Sequence, residues 1–136
     1  MTAPALIEGY ASLFTAEDLA GDRVRPGAFA RSLRQARPVP MLLHHKRGAI
    51  AGNWTRIVED GRGLFVRGLV DAPAALEAVR QGLNGLSIGF RARLARPQPG
   101  PGRELIDIDL VEISLVSEPM QPAARFTTPM FTARAA

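Results

Sequence analysis

Cysteine is absent from the 136 residues, which removes disulfides, thiolate metal sites and a cysteine nucleophile together. Histidine is nearly absent: His44 and His45 are the only two, so any imidazole base is one of them, and no convergent set of metal ligands can be built around them. Lys46 is the single lysine, and the net charge of +4 is carried almost wholly by arginine, spread along the chain rather than gathered into a block. Aromatics are few, with one Trp, one Tyr and six Phe. Nucleic acid recognition calls for clustered cations interleaved with aromatics, so this charge reads mainly as a solubility feature, with an acidic partner surface as the second reading. No apolar run is long enough to span a bilayer, and Met1 to Leu6 lacks a basic region followed by an apolar stretch. The expectation is a soluble, cytoplasmic protein with no metal and no cofactor.

What is present is ordinary globular usage. Hydrophobic residues make up 46% and charged residues 22%, enough for one core and one domain over residues 1–136. Alternation of Ile7, Gly9, Ala11 and Leu13 predicts an opening strand over Ile7 to Phe14. Phe29 and Leu33, four apart with Pro26 near the start, predict a short helix within Pro26 to Ala36. Pro38 and Pro40 end it and lead into the apolar run Met41 to His45, which reads as a buried strand. Asn53 to Glu59 and Leu64 to Val70 alternate on either side of Asp60-Gly61-Arg62-Gly63, the signature of a hairpin. Asp71 is placed to cap a second helix, with Pro73 in its first turn, Leu76 and Val79 on one face and Gly82 at its end. Gly85 to Leu94 and Leu105 to Val116 read as paired strands around the turn-rich loop Arg96 to Arg103. The fold class expected is mainly β with short helices, a closed or nearly closed antiparallel barrel of about six strands.

Four residues could carry chemistry. Adjacent residues on a strand point to opposite faces, so His44 and His45 cannot share one role, and both could also simply edge a barrel. Ser87 stands in Gly85-Leu86-Ser87-Ile88-Gly89, which formally matches the G-x-S-x-G nucleophile elbow. The elbow needs a strand, a sharp turn and then a helix, with histidine last in chain order; here a strand continues and both histidines come first, so that reading fails. Taken alone, a serine between glycines is a tight-packing position. Glu112 lies inside the most apolar strand, where an unpaired carboxylate is costly, so it faces solvent, meets an arginine, or serves as the third group that orients a base.

Three segments then match one family. Gly9-Tyr10-Ala11-Ser12-Leu13-Phe14 with Gly21 to Phe29, Met41 to His45 with Ala51-Gly52-Asn53-Trp54, and Gly85 to Phe90 with Val111 to Pro119 resemble the prohead maturation proteases of tailed bacteriophages and gene transfer agents. The match runs over about residues 7–126, leaving 127–136 as a flexible tail. The resemblance implies a fold like that of the herpesvirus assemblins and a serine endopeptidase with His45 as base, Ser87 as nucleophile and Glu112 in the position of the third member. It also implies Arg125 as a candidate for the oxyanion hole. The implied partner and substrate is the major capsid protein with its scaffolding segment, cut inside the immature capsid, with dimerisation or packaging as the switch. Lys46-Arg47-Gly48 departs from the family, which often has an acid after the histidine, and the chain ends soon after Arg125, as in a compact member or one trimmed by self-cleavage. The competing readings are a catalytically silent assembly partner and a small basic β-barrel that binds nucleic acid.

Overall fold

The computed structural model describes residues 3–14 and 16–129. Eight strands and two short helices follow in the order β1 (Ala5–Leu13), β2 (Arg23–Val24), α1 (Ala30–Arg34), β3 (Met41–Leu43), β4 (Ile50–Glu59), β5 (Gly63–Val70), α2 (Pro73–Arg80), β6 (Gly85–Pro97), β7 (Arg103–Val116) and β8 (Phe126–Thr127). The strands join one sheet in the order β2-β7-β3-β4-β5-β1-β8, with β6 paired to β7. Ile7, Phe29, Met41, Leu64, Val66, Leu86, Ile108, Ile113 and Leu115 are fully buried and make up the body of the core.

Strand β7 is the spine. Strand β6 pairs with it antiparallel along its length, from Gly85 opposite Val116 to Pro97 opposite Arg103. Its other edge is shared by two short strands that both run parallel to it, β2 at Glu104 and Leu105 and β3 at Ile113, Ser114 and Leu115. The purely antiparallel sheet expected from the sequence is therefore corrected to a mixed one. Nor is the ladder closed into a barrel. Among the described residues its two ends meet at an isolated bridge between Gly85 and Arg125, made by backbone bonds from Leu86 to Ala124 and from Phe126 to Asn84, and β8 is two residues long.

The hairpin of β4 and β5 forms where alternation predicts it, and Asp60 Oδ1 accepts the backbone N–H groups of Arg62 and Gly63 in its turn. Alternation in β1 fails after Tyr10, where a bulge at Ala11 makes Ser12 rather than Leu13 the buried residue. Helix α1 is only five residues long, because Pro26 to Phe29 form turns that place Ala28 and Phe29 in the core before the helix begins, and the Glu59 carboxylate accepts the N–H groups of Gly27 and Phe29. Helix α2 begins as expected at Pro73, but its N-cap is Ala72, not Asp71, and no side chain caps it. Thr127 lies in β8 and so is not part of a tail; 130–136 lie outside the described residues.

Candidate active site

The strand predicted over Met41 to His45 stops at Leu43. His44 and His45 follow it with φ of 54° and 60°, and the Lys46 N–H bonds back to the Leu43 carbonyl. Two consecutive positive φ angles closed by such a bond are the features of a type I′ turn, which connects antiparallel strands with the least splay. Glycine and asparagine suit those positions; for other L-residues each left-handed conformation costs about 1–2 kcal/mol. The expectation that the two histidines point to opposite faces of a strand is thus corrected: both lie in a turn, and the turn decides where their rings go.

The turn carries the His45 ring back over β7. His45 Nδ1 lies 2.5 Å from Glu112 Oε2. The Ser114 hydroxyl donates to Glu112 Oε1 at 2.7 Å and accepts the His45 backbone N–H at 3.1 Å. Glu112 is buried at 9% exposure, so the carboxylate that looked costly inside an apolar strand has its partners. A bulge helps to set it there. The register steps from Gly89 opposite Glu112 to Phe90 opposite Leu110, which leaves Val111 unpaired and turned outward at 39% exposure.

Ser87 lies directly opposite Ser114 across the β6–β7 ladder. Residues opposite each other in an antiparallel pair share a face, with Cβ atoms about 5 Å apart. By the same period, Gly89 and Glu112 are on that face too, so β6 and β7 present Ser87, Ser114 and Glu112 on one side of the sheet. Ser87 is buried, and among the described residues nothing hydrogen-bonds its hydroxyl. The two glycines around it now have separate reasons. A side chain at Gly85 would strike the Pro119 ring and the Val116 carbonyl, and one at Gly89 would occupy the space of the Glu112 carboxylate. The chain continues as strand to Pro97, which rules out the nucleophile-elbow context structurally as well.

A largely apolar cavity of about 120 Å³ opens beside Ser87, with Leu86, Ile88, Phe90 and Met120 in its wall. Asp22 is committed to Arg103, whose guanidinium lies 3.0 Å from Asp22 Oδ2. Arg125 is exposed and ties down the start of β6, donating to Asn84 Oδ1 at 2.8 Å and to the Pro122 carbonyl at 2.9 Å. The part played by Ser114 had escaped the reading from sequence. The Glu-x-Ser spacing in a strand, which places both side chains on one face, was the signal available for Ser114.

The family model for Caudovirus prohead serine proteases matches residues 2–134. The chain belongs to that family. Among relatives of this prohead protease family, the prohead protease of Enterobacteria phage HK97 is 40% identical over 93 residues, covering 62% of this chain and 41% of the relative. The chain therefore spans about two fifths of that relative's length. Among solved structures, KSHV protease in complex with a hexapeptide phosphonate inhibitor aligns at a TM-score of 0.68 with 15% identity, over 93% of this chain and 65% of that one. Varicella-zoster virus protease aligns at 0.56 with 16% identity, over 82% and 57%. At such identities the likeness to the herpesvirus proteases is one of fold, and it agrees with a mainly β protein carrying few short helices.

Proposed function

We propose that this chain is a serine endopeptidase of prohead maturation, with Ser87 as nucleophile, His45 as general base and Glu112 as the group that orients the base. The observation that carries the reading is the His45–Glu112 pair held on the same sheet face as Ser87, in a member of the prohead protease family. With Nδ1–H given to the carboxylate, Nε2 is the nitrogen left to accept a proton. His45 then takes the Ser87 proton as the hydroxyl attacks a peptide carbonyl, and the imidazolium, stabilised by Glu112, returns it to the leaving amine. Water attacks the acyl-enzyme by the same route. The left-handed backbone at His45 fits this role, since strained conformations gather where a side chain must be aimed. The bridge between Gly85 and Arg125 ties down the start of the strand that carries Ser87. Arg125, anchored there, is the residue we assign to the neighbourhood of the oxyanion.

The substrate we assign is the scaffolding segment of the major capsid protein, cut within the immature shell. Co-expression of the chain with its capsid protein tests this. Wild type is expected to trim the capsid protein, and Ser87→Ala to lose trimming by a factor on the order of 10⁴ or more. Trimming that continues unchanged in Ser87→Ala overturns the assignment; none with either protein favours a catalytically silent assembly partner.

A further inference from the structure

Ser114 is wholly buried, and its hydroxyl both donates and accepts a hydrogen bond. A serine hydroxyl offers one donor and two acceptor sites. The donor goes to Glu112 Oε1 and one acceptor takes the His45 backbone N–H, while the other carboxylate oxygen, Oε2, meets the His45 ring. These bonds form a closed circuit: Ser114 hydroxyl, Glu112 carboxylate, His45 ring, His45 main chain and back to Ser114. Each member is held at two points. Without the hydroxyl the circuit opens at both ends, and Glu112 is held at Oε2 alone, over a glycine that offers no side chain to stop it. The same loss leaves the His45 turn, already strained, without the acceptor that pins its backbone.

The place of Ser114 in the ladder gives the circuit its purpose. It faces Ser87 across one rung of β6 and β7, and it pairs with Leu42 of β3 across the other edge. The fixed point of the His45–Glu112 pair is thus the ladder partner of the nucleophile. We propose that Ser114 is a positioning residue, whose hydroxyl sets the distance and angle between His45 and Ser87 by holding Glu112 and the His45 main chain together. The proposal rests on the assignment of Ser87 and His45 made above.

The test uses the full chain and a fluorophosphonate, which reacts with an activated serine and needs no knowledge of the natural substrate. Labelling rates are measured for wild type, Ser87→Ala, Ser114→Ala, Glu112→Gln and the double variant, at a temperature well below each Tm. Wild type is expected to label at Ser87, and Ser114→Ala to label slower by a factor on the order of 10², the scale of a small misplacement of a catalytic group. Because Ser114 acts through the His45–Glu112 pair, which Glu112→Gln already breaks, the double variant should label about as slowly as Glu112→Gln alone, which a general loosening of the fold would not produce. If Ser114→Ala proves too unstable to assay, Ser114→Cys, close in size but a weak donor, replaces it. Labelling of the Ser114 variant at the wild-type rate overturns the proposal, as does a loss that multiplies in full with that of Glu112→Gln. Failure of wild type to label at Ser87 is a different result: it overturns the protease reading itself, and this proposal with it.

Discussion

His45 and its neighbour His44 occupy the same kind of backbone conformation, and among the described residues only one of them has a partner for its ring. His44 is exposed, its N–H held by the Leu115 carbonyl, while the His45 ring meets Glu112. Replacing His44 by glycine removes a left-handed penalty of about 1 kcal/mol without touching the circuit. His44→Gly is therefore expected to keep the wild-type labelling rate and a Tm no lower than wild type, whereas His45→Ala should lose labelling; the reverse result would make His44 the base. Gly89 is the second residue whose identity matters by what it leaves open. A methyl there overlaps the Glu112 carboxylate, so Gly89→Ala is expected to cost about 1–3 kcal/mol of stability and to abolish labelling of Ser87. A urea titration and the labelling assay check the two effects separately. The Gly-Leu-Ser-Ile-Gly run could be read from sequence as a tight-packing site. Which atoms pack against each glycine could not, since both contacts come from strand β7 and the turn after it.

At the scale of elements, β7 collects the partners. Its half-buried Asp107 and buried Asp109 hold α1 against the sheet: Arg31 reaches Asp107 at 3.0 Å and Asp109 at 2.6 Å. The hydrogen bond from Arg31, with the added attraction of Arg93 and Arg37, holds the Asp109 carboxyl below its ordinary value. A carboxylate depressed in the folded state stabilises the fold above the unfolded value, roughly pH 4, and that contribution is lost as pH falls through the lower folded value. Tm measured against pH should accordingly fall on the acid side for wild type. The fall should be shallower in Asp109→Asn, and equal slopes would remove Asp109 as a source of the acid sensitivity. Strand content and the β4–β5 hairpin were legible because they depend on alternation and on turn residues within a few positions. The length of α1 was not, because Pro26 to Phe29 close as turns, held by the Glu59 carboxylate from a distant strand, and only from Ala30 does the chain run as a helix.

For the whole molecule the weak point is the seam between β6 and β8. Among the described residues it is one bridge, made by two backbone bonds and joined by the Arg125–Asn84 side-chain bond, packed under Phe126, which is 4% exposed, and against Gly9, where a side chain would strike the Arg125 carbonyl. Phe126→Ala is expected to destabilise the fold by about 3–5 kcal/mol, read from the midpoint of urea unfolding. A loss under about 1 kcal/mol would show that the seam adds little. No helix among the described residues is long and apolar enough to cross a membrane.

The sequence by itself determined the local elements and the membership of its chemical groups: strands where apolar residues alternate, turns where glycine and aspartate fall, and a histidine, a serine and an acid each in a recognisable setting. The tertiary structure alone decided how these meet. His45 and Glu112 are 67 residues apart, and His45 and Ser114 are 69 apart. The parallel pairing of β3 with β7, the bulge at Val111 and the turn at His44 and His45 bring them together. The reason is physical. A strand's period says which residues share a face, but which strand lies alongside, and in what register, is set by burying the whole core at once.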